Sequence, residues 1–466
     1  MEGILKAKNI RVPAKASIWY VGTSVISKIV GLLVTPVFTR ILTGEEYGAY
    51  SLYMSYLGFF SLICTVGFSA SVIYKGLQVF PEKKESFISA ALGFNFCFSL
   101  LICILLFAFS GVLGISRILV LILCIQLITD SAVGLSLMEK RYYYSYRTVA
   151  FVSLFEAVGA PIISLILLYG TSLGFVAKLF GLLIPATLSA TALVLGIIQK
   201  SKRLFDKEIW SYLFHRSLPL LPSVVSAALT SHVASFVIAK ALGGSALAKY
   251  SVTHSVGVGL LLLISTLGAS LTPWITRKLA AKNVAAISCV TDVLFRLFGA
   301  ATLFLIALVP EAVAFLAPIE YSEAIYAAVP IALAALPSFI TSVVGVGLVF
   351  LDLGGRVSIA ASIGAVSNFL LSLILIPSLR YIGAGTALLL SSLITSAVSL
   401  YYLKKAEFGS ILKLKDTLSV FISVSALGII ISLLYNYATP RFLLLLIPAF
   451  MILKTLPTLK NLIREK

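Results

Sequence analysis

The chain carries apolar stretches, at short and nearly regular intervals, each long enough to cross a lipid bilayer. This repetition restricts its fold more than any other feature. A helix needs about 20 apolar residues to span the hydrocarbon core. Fourteen such stretches run roughly over 17–39, 47–73, 86–113, 116–138, 148–170, 173–198, 217–240, 247–272, 286–309, 324–351, 357–377, 382–403, 416–436 and 440–457. Pro161, Pro185 and Pro222 fall inside them, as membrane helices tolerate. The first stretch, from Ser17 onward, is too long for a signal-peptide core and reads as a span. Hydrophobic residues make up 60% of the sequence and charged ones 12%, against roughly 45–50% and ~25% in soluble domains. A soluble chain of this size would lack the polar surface to cover its cores. The expected fold is an all-α polytopic membrane protein.

The net charge of +18 would suit a nucleic-acid binder only if the basic residues lined a solvated face. Instead they sit in short clusters between the apolar stretches. With the N-terminus placed in the cytoplasm and fourteen crossings, 27 of the 36 Lys and Arg fall on the cytoplasmic side and 7 on the other, with Lys28 and Arg296 inside spans. The cytoplasmic clusters include Lys6–Lys15, Lys75–Lys84, Lys140–Arg147, Lys200–Arg216 and Lys404–Lys415, with Lys454, Lys460, Arg464 and Lys466 in a basic tail. This bias obeys the positive-inside rule and predicts both termini on the cytoplasmic side of the cell membrane. Nucleic acid is not an expected partner.

The connecting loops are short, the longest around 199–216. The P-loop pattern GxxxxGK[ST] and HExxH are absent, as is DxD, and no loop can hold an enzyme site by itself. Cys64, Cys97, Cys103, Cys124 and Cys289 lie in apolar stretches without metal-ligand spacing and read as small buried hydrophobes. The segment TRILTGEEYGAYSL from Thr39 returns as AKALGGSALAKYSV from Ala239, an offset of 200 that superposes Arg40 on Lys240, Gly44 on Gly244 and Tyr50 on Tyr250. Each copy joins the first two of a set of six stretches. The chain therefore divides into an N-terminal lobe (1–200), a C-terminal lobe (201–405) related to it by pseudo-two-fold symmetry, and two extra helices with the tail (406–466). Repeated halves with a site between them are a transporter architecture.

Residues Ser27 to Leu52, with Arg40, Ile41, Leu42, Glu45, Glu46, Tyr47 and Gly48 at the turn, resemble the first two helices of the polysaccharide flippases. These belong to the multidrug, oligosaccharidyl-lipid and polysaccharide exporter superfamily and include O-antigen-type flippases. Asn368, Ile376, Pro377, Gly383 and Ala384, and the run LTPWITRKL from Leu271, fit further patterns of that family. The resemblance, over about 17–405, implies a transporter rather than an enzyme. It would move a polyprenyl- or dolichyl-phosphate-linked oligosaccharide to the outer leaflet by alternating access, without a cofactor. Coupling to H+ or Na+ stays open, as does partnership with glycan-assembly enzymes. Three other readings stand: a peptidoglycan-precursor lipid flippase, an ion-coupled drug or cation antiporter of the same superfamily, and a membrane glycosyltransferase or polymerase.

Such a cargo needs a wet cavity with cationic and hydrogen-bonding groups, so ionisable residues inside spans are the first candidates. Lys28, near mid-membrane, is a candidate phosphate contact or the partner of a buried carboxylate. Asp130 and Glu156 lie at similar depth on adjacent spans. They are expected to cluster with Lys28, as a structural network or as an ion-coupling site. Arg296 can pair with Asp292 one turn away or line a cavity. His232 and His254 are proton-switch candidates or interior hydrogen-bonding groups, and Arg40 and Lys240 gate candidates or snorkelling residues. Asn95, Gln126 and Asn368 can bond sugars or neighbouring helices. Tyr142, Tyr143, Tyr144 and Tyr146 read as interfacial anchors, with membrane lipid as a general partner.

Overall fold

The computed structural model describes residues 2–65, 70–406, 412–453 and 455. Lys454, Lys460, Arg464 and Lys466 of the basic tail lie outside the described residues. Two compact units divide the chain, Met1–Ala228 and Leu229–Lys466. The regular structure described is helical throughout. The first unit contains α1 (Glu2–Ile41), α2 (Gly44–Cys64), α3 (Ala70–Val79), α4 (Lys84–Ala108), α5 (Ser110–Leu113), α6 (Arg117–Tyr142), α7 (Tyr146–Gly170), α8 (Phe175–Lys200) and α9 (Lys207–Ser217). Helix α10 (Leu221–Leu242) carries the chain into the second. There follow α11 (Gly244–Gly257), α12 (Gly259–Ala280), α13 (Val284–Leu316), a 3-10 segment (Ile319–Ala327), α14 (Ala328–Leu333), α15 (Ala335–Phe350), α16 (Gly354–Lys405), α17 (Leu414–Leu433) and α18 (Ala438–Leu443).

Ten helices among the described residues are long and apolar enough to cross a membrane, with shorter apolar helices beside them. Several expected stretches are divided or merged. The stretch 47–73 is split, α2 ending at Cys64 and α3 starting at Ala70, and 247–272 is interrupted at Val258. Conversely α16 runs for 52 residues and holds two expected stretches, on either side of Arg380, whose φ of 51° and ψ of −127° break the helix. The loop expected at 199–216 is mostly a helix. Asp206 caps α9 by accepting from the Glu208 and Ile209 amides. Ile209 and Leu213, one turn apart, bury into the core of the first unit, and the Trp210 Nε1 donates to the Ala90 carbonyl at 3.0 Å.

Within the first unit α6 is the central helix, packed against α4 and α8, while α1 and α8 flank α7. In its most apolar window α6 is 61% buried and α1 only 11%. The outward faces carry large apolar side chains such as Ile118, Phe151 and Ile166, a surface that lipid, not water, would cover. Two apolar cores form on either side of the α4 and α6 midpoints. One gathers Phe87, Ile88, Leu92, Leu135 and Leu137, the other Cys103, Leu106, Leu123 and Leu127. Between them lie Asn95, Ser99, Gln126 and Ser131, all buried. Ser99 donates to Asn95 Oδ1, and the Tyr53 hydroxyl donates to Gln126 Oε1 at 2.8 Å. Both polar candidates in this unit thus bond within the bundle, which keeps polar groups satisfied where no water is available. Cys64, Cys103 and Cys124 are buried as expected, Cys289 is partly so, and Cys97 is exposed on the face of α4.

The turn between α1 and α2, where the repeated segment begins, is closed by side chains. Thr43 Oγ1 accepts from the Glu46 amide at 3.3 Å, and Glu46 Oε2 accepts from the Thr43 amide at 3.0 Å, a complete capping box. Thr43→Ala removes half of it and is expected to cost about 1 kcal/mol. That loss is readable as a lower thermal midpoint in detergent, and an unchanged midpoint would contradict the assignment.

In the second unit α13 is central and packs on α17. Gly299 and Gly428 let the two helices approach, each facing a branched side chain of the other helix. Past α17, the Tyr435 hydroxyl donates to the Ile306 carbonyl at 3.1 Å, and its ring stacks on Tyr326. Arg441 is 1% exposed and paired with Glu311 of α13.

Candidate functional site

A cavity of about 480 Å³ opens within the first unit between α1, α2, α7 and α8. Ser27, Gly31, Thr35 and Phe38 line it from α1, spaced by helical turns along one face. Tyr47 and Tyr50 enter from α2, Ser153, Glu156, Ala160 and Ser164 from α7, and Lys178 from α8. The cavity is a slot running along α1. Its Ser27 end holds Glu156, and its Phe38 end holds Lys178.

Lys178 is the unusual group. Its residue is 8% exposed, and its Nζ lies 3.5 Å from the ring centroid of Tyr50, 4.3 Å from that of Phe38 and 4.8 Å from that of Tyr47. Among the described residues it forms no ion pair. Burying a lysine among apolar side chains without a compensating partner is costly, even near the end of a span. A cation over an aromatic face recovers about 0.5–2 kcal/mol, so three faces can hold the charge without an anion. The local sequence builds this cage. The capping box turns α2 back so that Tyr47 and Tyr50 face the end of α1. Gly174, at φ 54°, starts α8 beside that turn, where a side chain would meet the Glu46 carboxylate. Gly181 brings α8 against α7: a Cβ there would lie 1.9 Å from Ser164 Oγ and 2.7 Å from its backbone nitrogen. Ser164 Oγ in turn donates to the Ala160 carbonyl at 2.7 Å and lies 3.4 Å from the Lys178 carbonyl.

Glu156 is partly buried, and its Oε1 has no hydrogen-bond partner among the described residues. It is an electrostatic neighbour of Asp130 on α6, so the two expected carboxylates do come together. Lys28 does not join them. It is exposed on α1, one position off the cavity-lining face, and forms no ion pair among the described residues. The cation that the cavity does hold, Lys178, was counted by sequence among the charges outside the membrane. Its position within the expected stretch 173–198, four residues past a glycine turn, is the signal that marks it.

The other candidates lie apart from this cavity. Arg40 is exposed and bonds back to the Pro36 carbonyl at 3.0 Å. Lys240 is exposed in the last turn of α10. In the second unit Arg296 Nε donates to Asp292 Oδ2 at 3.0 Å, the pairing expected from their spacing, and Asp292 Oδ1 is buried without a partner among the described residues. His254 lies 5.4 Å from the Tyr250 ring and is an electrostatic neighbour of His232. Asn368 is 2% exposed; its Nδ2 donates to the Thr230 carbonyl at 3.4 Å and its Oδ1 accepts from Ser372, joining α16 to α10. A second cavity of about 450 Å³, between α4, α6 and α8, is walled mainly by apolar side chains, with Asn95, Thr129 and Ser131 among its lining.

A family model described as "Polysaccharide biosynthesis protein" matches residues 37–282, more than half of the chain. No curated protein matches. Among solved structures, the chain is similar to lipid II flippase MurJ in an inward closed conformation, with a TM-score of 0.71 at 16% identity, covering 96% of this chain and 99% of that one. It is also similar to a multidrug resistance MATE family transporter of the MOP superfamily in an inward-facing conformation, with a TM-score of 0.66 at 12% identity, over 83% and 95% of the two chains. The Vibrio cholerae MATE transporter VcmN in its bent form gives a TM-score of 0.54 at 14% identity, over 86% and 100%. At these identities the likeness describes the fold, that of MOP-superfamily transporters.

Proposed function

Because the chain belongs to the polysaccharide biosynthesis protein family and has the multi-pass fold of MOP-superfamily transporters, we propose that it is a flippase. It moves a lipid-linked oligosaccharide from the cytoplasmic to the outer leaflet of the cell membrane by alternating access. The observation that carries this reading is the buried Lys178, a cation lining a membrane cavity with no carboxylate paired to it. At that end of the cavity a cationic drug would be repelled, and a phosphate-bearing cargo attracted. The cargo is a polyprenyl- or dolichyl-phosphate-linked glycan, supplied and consumed by glycan-assembly enzymes.

In the same reading the chain crosses the membrane fourteen times, with both termini cytoplasmic, as the distribution of Lys and Arg supports. Its functional division is a lobe over 1–200, a lobe over 201–405 and two further helices over 406–466. Asp130 and Glu156 are the ion-coupling candidates, since two neighbouring carboxylates in a low-dielectric region readily share or exchange a cation. Lys28, Arg296, Arg40, Lys240, His232, His254 and Asn368 stay as contact candidates along the cargo's path. The likeness to lipid II flippase MurJ favours one second reading, a peptidoglycan-precursor flippase.

Gene deletion with complementation separates the readings. Loss of surface glycan with the lipid-linked intermediate trapped on the inner leaflet, restored by the wild-type gene, is the expected result. Lys28→Ala, Asp130→Asn and Glu156→Gln restorations then test the individual contacts. Loss of viability with lipid II trapped would point to the peptidoglycan precursor. An intact glycan with altered drug resistance would move the protein to the antiporters.

A further inference from the structure

We propose that the slot in the first unit is an oxyanion site, with Lys178 as the binding residue and the Tyr50–Phe38–Tyr47 cage as the place its ammonium rests when the site is empty. The ligand class is a phosphate or carboxylate carried on a polyhydroxylated body. The natural source of that oxyanion rests on the transport reading above; the site itself does not.

Three observations lead there. First, Lys178 is more than nine-tenths buried and lines the cavity, yet its three N–H donors meet ring faces and no oxygen acceptor among the described residues. An apolar side chain would fill the same space without the cost of a buried charge, so a purely structural role does not account for a lysine.

Second, the nearby carboxylates are committed or distant. Glu46 holds the Thr43 amide and hydroxyl, both at 3.0 Å. Glu156 lies on α7 two turns before Ser164, the residue that contacts the Lys178 backbone. That is roughly 12 Å away along the helix at ~1.5 Å per residue, so Glu156 marks the opposite end of the slot.

Third, the wall between the two ends carries the hydroxyls of Ser27, Thr35, Ser153 and Ser164 together with the tyrosine rings. An oxyanion entering beside Lys178 would draw Nζ off the rings into a charge-assisted hydrogen bond. The hydroxyls of its carrier would face serine, threonine and, at the far end, the acceptor oxygens of Glu156. A free anion without such a carrier would use only the Lys178 end.

The purified full-length protein in detergent supplies its own reporter, because moving the ammonium off Tyr47 and Tyr50 changes their near-UV circular dichroism. We would titrate wild type with inorganic pyrophosphate, with glucuronate and with tetramethylammonium, at constant ionic strength. Pyrophosphate, glucuronate or both should saturate the signal, and tetramethylammonium should leave it unchanged. Pyrophosphate alone would place the carrier phosphate in the slot; glucuronate alone would place an acidic sugar there. Lys178→Met should weaken the response at least about tenfold, the loss of one charge-assisted contact, whereas Lys178→Arg and the exposed control Lys202→Met should keep it. Lys178→Gln, with thermal unfolding of every variant, guards against a Met variant that fails to fold. A wild type that responds to neither anion, or a folded Lys178→Met or Lys178→Gln that titrates like wild type, would overturn the proposal. Anion binding at Lys178 in a protein whose deletion leaves the surface glycan intact would keep the site and reject the flippase reading.

Discussion

Gly181→Leu is expected to give the greatest loss of order in the first unit. A single Cβ at this position would already sit 1.9 Å from Ser164 Oγ and 2.8 Å from the Ala160 carbonyl oxygen, and the atoms in the way include the backbone of α7. Neither helix can yield locally, so α7 and α8 must separate. Overpacking of a tight contact costs about 1–3 kcal/mol, and a contact with backbone belongs at the upper end. The expected readouts are a lower thermal midpoint and a flattened near-UV tyrosine signal, because Lys178 is carried by the helix that moves. A variant with wild-type midpoint and wild-type tyrosine signal would show that the α7–α8 contact is looser than described. Gly181→Ala should fall between the two.

Glu311→Ala is the second large effect, and it acts at the other end of the chain. Arg441 is 1% exposed, and among the described residues it reaches, besides Glu311, the Tyr435 carbonyl at 3.3 Å and the face of Phe442. Removing the carboxylate leaves a guanidinium buried without its counter-charge, a change worth ~3–5 kcal/mol in buried pairs. Because the Glu311 side chain is 46% exposed, the lower end, about 3 kcal/mol, is expected. The stability should drop in thermal unfolding, and the segment after α17 should become sensitive to limited proteolysis. The double variant Glu311→Ala, Arg441→Leu should recover most of the loss, since an apolar pair needs no compensation. If the double variant is as weak as the single one, the defect lies in packing and not in the stranded charge.

The membrane character of the chain was readable from apolar runs alone, because lipid demands about 20 apolar residues per crossing and little else resembles that demand. The interruptions were less legible. Val258 stands in a stretch as apolar as its neighbours, and a helix break there is a backbone event that hydropathy does not record, whereas the break at Arg380 falls in the gap expected between 357–377 and 382–403. The amphipathic α9 was hidden by the reverse problem, its charged face making it look like a loop. Among the candidate residues, spacing placed Arg296 beside Asp292 correctly, since a pair one turn apart needs only a helix. Depth placed Asp130 near Glu156. Depth alone could not orient Lys28, because one residue along α1 turns a side chain by about 100° (3.6 residues per turn) and separates the slot from the exposed surface. Lys178 was missed because its cage comes from two other helices, α1 and α2, and a charge near the end of an apolar run looks like any other snorkelling lysine.

The two copies of the repeated segment close their turns by different means. In the first, Thr43 and Glu46 hold each other; in the second, Gly243 at φ 90° starts α11 with no side-chain cap. A library of random substitutions would treat the two turns differently. At the first, the serine and glutamine that also make a capping box would pass at either position, and damage at one would leave the other partly useful. At the second, any residue with a Cβ meets the same conformational penalty, and no neighbour can compensate. The first turn can thus drift by small steps while the second is held to glycine, so the two turns would diverge at unequal rates even under identical demands.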